Sequence, residues 1–280
     1  MDENRLETLV KQSVAGNRDA LDALVQAIKD PIFKMAVRML GYPCDAEDAT
    51  QEILIKIITS LSGFNYQSRF TTWMYKVCIH HLLNIRKKRA DKWNISFQLW
   101  ESLIYEKPGD LGLQSFPDAE QSLLISEVRT GCLQGLLLCL DKQTRICFIL
   151  GDLFEMSGKE GASLLEITPE TFRKRLSRGR KKLNAFMVKN CGLFNRKNPC
   201  RCEEQVARDI QTGMIDPRSL EFVDLTKAND PSRIEGILHE LDDMSKVIAL
   251  FRTHPDYSAP QDFPKIIETL MKDDQFTLLN

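Results

Sequence analysis

Ser157–Lys182 reads SGKEGASLLEITPETFRKRLSRGRKK. Two short helical patterns flank a break at Glu166–Thr168. Thr168 is suited to cap the second, and Pro169 fits its first position, where a missing N–H costs nothing. That helix then carries Arg173, Lys174, Arg175, Arg178, Arg180, Lys181 and Lys182. From Thr171 through Arg201 the chain has eleven Lys or Arg and no Asp or Glu. The basic run therefore has no internal acidic i,i+4 partner to relieve its repulsion, which argues for an anionic partner outside it. A capped basic helix after a short helix and a turn is the layout of a recognition helix in a DNA major groove. A solvated surface helix is the plainer reading of the same charges.

Charge is segregated elsewhere too. The 280 residues carry a net charge of only −1, with 43% hydrophobic and 28% charged residues, an ordinary balance for a folded, water-soluble chain. Arg69–Lys92 holds seven bases against one acid, Asp91, whereas Glu203–Asn280 holds sixteen acids against eight bases. Two basic segments suggest two nucleic-acid contacts, and the acidic end something different. No apolar run is long enough to span a membrane. The opening MDENRLETLV does not read as a secretory signal, so the eight cysteines are expected as reduced thiols in the cytoplasm.

Apolar periodicity is helical nearly throughout, and the expected fold class is all-α. Leu21, Leu24, Val25 and Ile28 make one stripe, and Pro31 is expected to start the next helix. Asp45 is positioned to cap a helix over Ala46–Leu61. Phe64–Phe70 is a polar and aromatic loop, and Thr71 or Thr72 opens a helix through Lys88. These form a first domain, 1–92. Residues 93–120, with Pro108, Gly109, Gly112 and Pro117, read as an irregular linker. Helices over Ala119–Leu138 and Asp141–Leu153, with the basic motif, make a second domain, 121–189. The extension, 190–280, is mostly helical, with an amphipathic helix over Pro231–Arg252 and a short one over Phe263–Lys272.

The order of these parts resembles an extracytoplasmic-function sigma factor of bacterial RNA polymerase. DAEDATQEILIKI (Asp45–Ile57) looks like that family's polymerase-binding helix. SRFTTWMYKVCIHHLLNIRKKR (Ser68–Arg89) looks like its promoter-melting, minus-ten-reading helix. Leu140–Leu183 looks like its minus-thirty-five-reading domain. The resemblance covers about residues 1–190. It implies a non-enzymatic initiation factor whose partners are core RNA polymerase and promoter DNA, with an anti-sigma factor as a further candidate. No cofactor is required.

The resemblance also implies site residues. Asp48, Gln51 and Glu52, at i, i+3 and i+4, would meet the polymerase. Asn65, Tyr66, Gln67, Ser68 and Arg69 occupy the loop that captures a flipped base, where amides and hydroxyls bond its edge and aromatics stack on it. His80 and Asn84 follow one turn apart, and Arg86, Lys87, Lys88 and Arg89 would hold phosphates. In the reading helix, Arg173, Lys174, Ser177 and Arg178 match groove-facing positions, with Thr171, Arg175 and Arg180 beside them. Two residues depart from the family pattern: Glu166 stands where glycine is usual, and Gly161 where a β-branched residue is.

Cys191, Cys200 and Cys202, spaced C-x8-C-x-C beside Arg196, Lys197 and Arg201, are candidates for a structural zinc or a redox site; three ordinary thiols in a turn is the alternative. The acidic extension is complementary in charge to the basic surfaces and could compete with DNA for them. A free-standing helix–turn–helix regulator is the rival to the sigma reading, distinguished by whether the chain co-purifies with polymerase.

Overall fold

The computed structural model describes residues 2–85, 95–105, 113–223, 241–255, 257–261 and 263. Its described elements are helices, with two isolated β-bridges and no strand among them. The all-α expectation holds. The chain divides into two compact units. One comprises the described residues of Met1–Arg86, Ala162–Ile167 and Asp256–Asn280, and the other those of Lys87–Gly161 and Thr168–Pro255.

The first unit is built on α1 (Glu3–Val14), α2 (Arg18–Leu40), α3 (Pro43–Thr59) and α4 (Phe70–Asn84). Leu24, Val25, Ile28, Ile32, Met35 and Ala36 lie on one side of α2 and are almost fully buried, with Ile53, Leu54 and Ile57 of α3 and Phe70, Met74 and Cys78 of α4. Pro31 does not start a new helix, as expected from sequence, but lies inside α2. Proline removes one helical hydrogen bond, and burial of this long stripe outweighs that loss. The helix expected from Ala46 starts earlier, with Pro43 in its first turn and no side-chain cap, so Asp45 is a first-turn acid rather than the cap.

Residues 257–261 and 263 of the extension belong to this unit. Tyr257, Ala259 and Phe263 are buried. The ammonium of Lys29, itself only 6% exposed, donates to the carbonyls of Ala259 and Pro260 at 3.3 Å each. The Ala259 N–H donates to Asp30 Oδ1 at 2.9 Å, and the Arg38 guanidinium lies 5.6 Å from the centre of the Tyr257 ring. A buried lysine is tolerated because its charge has found oxygen partners.

The second unit contains α5 (Phe97–Ile104), α6 (Asp118–Leu138), α7 (Lys142–Phe148), a π-helical turn (Ile149–Leu153), α8 (Gly158–Leu164, whose C-terminal turn falls in the first unit), α9 (Pro169–Asn190), α10 (Cys202–Gln211) and α11 (Asp243–Arg252). Residues 97–104 of the expected irregular linker are helical, capped by Ser96, and docked: the Phe97 ring lies 5.8 Å from Phe186, and Glu101 pairs with Lys189 at 2.5 Å. Two to three apolar residues per turn gave this segment no clear period in sequence, yet they suffice against a ready apolar wall.

Arg145 anchors the centre. It is 1% exposed and donates to the carbonyls of Leu137, Leu138 and Leu140 at 2.8–3.0 Å, satisfying acceptors at the end of α6. Burial brings its pKa down to about 10.

The extension is part of this core. Val247, Leu250 and Phe251 of α11 are fully buried with Leu133, Leu136, Leu137, Phe148, Leu183, Phe186 and Met187. Arg252 donates twice to the Asp152 carbonyl, at 2.8 and 2.9 Å. Val206 of α10 packs with Leu124 and Val128 of α6. The buried Glu127 carboxylate accepts the N–H groups of Glu221, Phe222 and Val223 at 2.7–3.1 Å. Of the amphipathic helix expected over Pro231–Arg252, residues 231–240 lie outside the described residues, as do residues 264–272 of the short helix expected from Phe263.

Candidate nucleic-acid interface

In the second unit, the reading helix forms as its sequence dictates. Thr168 Oγ1 accepts the Thr171 N–H at 3.2 Å, and Pro169 opens the helix. Phe172, Gly179, Leu183, Phe186 and Met187 turn inward, and Arg173, Lys174, Ser177, Arg178, Lys181 and Lys182 outward. These six, with Glu170, line one open groove. Four of the seven residues expected at this interface therefore stand together. The other three are used elsewhere. Arg175 donates to Gln143 Oε1 at 2.8 Å. Arg180 forks onto the buried Asp152 carboxylate at 2.9 and 2.5 Å, which holds its guanidinium above the usual range. Thr171 joins the cap, 2.8 Å from Thr168 Oγ1. Helical spacing marks the difference: 173, 174, 177, 178 and 181 share a face, and 175 and 180 do not. The basic helix also has one acidic i,i+4 partner after all, since Glu170 pairs with Lys174 at 2.7 Å.

The two departures in the motif have structural counterparts. Glu166 has φ +54°, the left-handed conformation that glycine adopts freely. A β-carbon on Gly161 would lie 2.4 Å from the Phe172 ring, so the bulkier aromatic and the missing side chain fit each other.

In the second unit, Val247, Leu250 and Phe251 of the extension pack with the buried face of α9, and Val206 packs with α6.

In the first unit, a loop stands on an aromatic base. Phe64 is buried, with its ring centre 4.7 Å from Tyr66, 5.6 Å from Phe70 and 5.6 Å from Trp73. Above it, Asn65, Tyr66, Gln67, Ser68 and Arg69 are all exposed. Asn65 Oδ1 accepts the Gln67 N–H at 3.2 Å, and Tyr66 between them takes φ +59°. Such local side-chain bonding lets a short polar residue set a turn. His80 and Asn84 are exposed on α4, while Arg86, Lys87, Lys88 and Arg89 lie outside the described residues.

His81, adjacent to His80, points inward. Its Nδ1 lies 2.5 Å from the Lys56 ammonium and its Nε2 3.2 Å from Glu52 Oε2. Burial first, then Lys56, lowers its pKa, against the pull of Glu52, so the ring is neutral near pH 7. Of the polymerase candidates on α3, Asp48 and Glu52 are exposed and Gln51 half-buried.

Cys191 and Cys200 face each other across a β-bridge, with the Gly192 N–H donating to the Cys200 carbonyl at 2.9 Å. A β-carbon on Gly192 would meet that carbonyl at 2.5 Å. Burial, then the neighbouring sulfurs, pushes the Cys200 thiol up to about 12 and Cys202 well above the usual thiol range. Cys132 of α6 shares this environment. Among the described residues no three His, Cys, Asp or Glu side chains stand as a group able to hold a metal ion.

Comparison with known proteins follows the same division. Residues 24–92 match the model of sigma-70 region 2, and residues 130–183 that of sigma-70 region 4. The ECF RNA polymerase sigma factor SigW of Bacillus subtilis is 28% identical over 188 residues, 65% of this chain and 96% of that protein. The ECF RNA polymerase sigma factor SigE of Mycolicibacterium smegmatis is 27% identical over 171 residues, 60% of this chain and 62% of that protein. Among solved structures, CnrH in complex with the cytosolic domain of CnrY aligns with a TM-score of 0.46 at 21% identity, covering 66% of this chain and 97% of that one. The chain thus carries both sigma-70 regions in order, and it is similar to RNA polymerase sigma factors of the extracytoplasmic-function class.

Proposed function

We propose that the chain directs core RNA polymerase to promoters through two DNA contacts. The groove-facing Arg173, Lys174, Ser177 and Arg178 read the duplex minus-thirty-five element. Arginine forks onto guanine, and the surrounding lysines hold phosphates. Asn65–Arg69, with His80, Asn84 and the basic run Arg86–Arg89, engage the minus-ten strand after a base has left its stack. Asp48, Gln51 and Glu52 dock on the polymerase. The chain contributes binding energy and no catalytic group; the polymerase makes the RNA. Its place of work is then the cytoplasm, and no helix of the described residues is long and apolar enough to cross a membrane. An anti-sigma protein is a further partner that sigma factors of this class lead one to test.

The observation that carries this reading is the outward gathering of Arg173, Lys174, Ser177 and Arg178 on a capped helix, in a chain that also holds an exposed polar loop on an aromatic base. Transcription by core polymerase on fragmented genomic DNA tests it. Transcripts starting at defined positions only when the chain is added support it. DNA binding without polymerase association would favour the free-standing regulator.

A further inference from the structure

The helix that braces the strand-reading loop lies outside the matched region-2 span. That span begins at residue 24, and α1 ends at Val14. Two side chains of α1 reach the loop from either end.

The first is Glu3. The N-terminus of α4 adjoins the loop, and its N-cap, Arg69, makes no side-chain capping bond. An uncapped helix start leaves N–H donors without partners. Glu3 supplies the missing acceptor from another helix: its Oε1 takes the Thr71 N–H at 3.2 Å and its Oε2 the Thr71 hydroxyl at 2.7 Å. A carboxylate there also suits the positive end of the helix dipole.

The second is Lys11, eight residues and about 12 Å further along α1 by helical rise. Its ammonium lies 5.2 Å from the centre of the Tyr66 ring. Tyr66 is 43% exposed, in a left-handed conformation, and its ring packs on Phe64. A cation over the ring fixes its orientation without covering the polar loop edge.

We infer that α1 is part of the strand-reading apparatus, with Glu3 and Lys11 acting as positioning residues that hold Asn65–Arg69 in the shape that receives an unstacked base. This rests on the minus-ten role proposed above. Preorganisation of this kind raises affinity by removing an ordering cost at the moment of binding.

The test uses holoenzyme made from core polymerase and the full chain. The probe is a single-stranded oligonucleotide of the minus-ten non-template segment found by transcription on genomic fragments, beside a scrambled version. Glu3→Ala with Lys11→Ala is expected to weaken binding of the true sequence about 5–30-fold, with little change for the scrambled one. Core-polymerase affinity should hold, and the melting temperature should fall only slightly, as loss of one helix cap requires. Glu3→Gln with Lys11→Arg, which keeps an acceptor and a cation, should restore most of the affinity. Unchanged binding overturns the inference. So does an equal loss on both sequences, which would make Lys11 a plain counter-charge, or a loss matched by lowered melting temperature and not rescued. If wild-type holoenzyme does not prefer the true sequence, the minus-ten role itself fails, which is a separate result.

Discussion

The loop over Asn65–Arg69 and the outer face of α9 are both exposed and polar, and they are built in opposite ways. The α9 face is local. One helix, capped by its own Thr168 and opened by its own Pro169, presents its side chains at fixed helical spacing. The loop is assembled. Its floor comes from Phe64, Phe70 and Trp73, its far end is capped by Glu3, and its exposed aromatic is steadied by Lys11. A duplex groove is a regular target that a rigid rod of charges can meet. An unstacked base is an irregular one, and a pocket for it needs walls from several places.

The largest effect that separates the two regions should come from Arg173→Ala with Arg178→Ala. Loss of two groove contacts, about 1–3 kcal/mol each, should weaken duplex minus-thirty-five binding on the order of 10²-fold, leaving the single-stranded minus-ten oligonucleotide bound as before. The log–log salt slope should also fall by about two, measurable by fluorescence titration. Next, Gly161→Val should destabilise the second unit by about 1–3 kcal/mol, because its β-carbon meets the Phe172 ring; thermal melting checks it. Arg180→Ala sharpens the division within α9 itself. It leaves the buried Asp152 carboxylate short of a partner, for a loss of about 1–2 kcal/mol in stability, while the salt slope stays near wild type because Arg180 is not in the groove.

A pH series probes the first unit. His81 has a folded pKa below its unfolded value, so between them the unfolded chain binds the extra proton. Stability of the first unit should therefore fall as pH drops below about 6.5, and His81→Gln should flatten that slope in melting curves at pH 7.5 and 5.5. The smallest effect is expected from Glu166→Gly. Relief of the left-handed backbone is worth about 1–2 kcal/mol, and the greater freedom of unfolded glycine returns about half, for a net gain of about 0.5–1 kcal/mol.

Which parts were legible in the sequence follows from the same contrast. The outward basic face of α9 was, because cap, proline and charge spacing are written into consecutive residues. Thr171, Arg175 and Arg180 stand outside the groove, since a run of bases does not reveal that the cap will take Thr171 or that Gln143 and Asp152 will claim the two arginines. The loop was legible as polar residues among aromatics, but not its bracing: Glu3 lies 68 residues before Thr71 and Lys11 lies 55 before Tyr66, and nothing in MDENRLETLVK marks them. Pro31 misled because a proline is a start signal only when burial does not override it. The extension read as a separate acidic piece on charge alone. Its apolar Val247, Leu250 and Phe251, and the Glu127 carboxylate that binds its backbone, make its described part in the second unit an integral layer of that core.

The most direct test of two separate DNA contacts is transcription from a promoter library randomised at both elements, with start sites mapped. Wild-type holoenzyme should show two blocks of sequence preference. Arg173→Ala with Arg178→Ala should erase the upstream block alone, and Asn65→Ala with Gln67→Ala the downstream block alone. A single block, or loss of both from either pair of substitutions, would contradict the account.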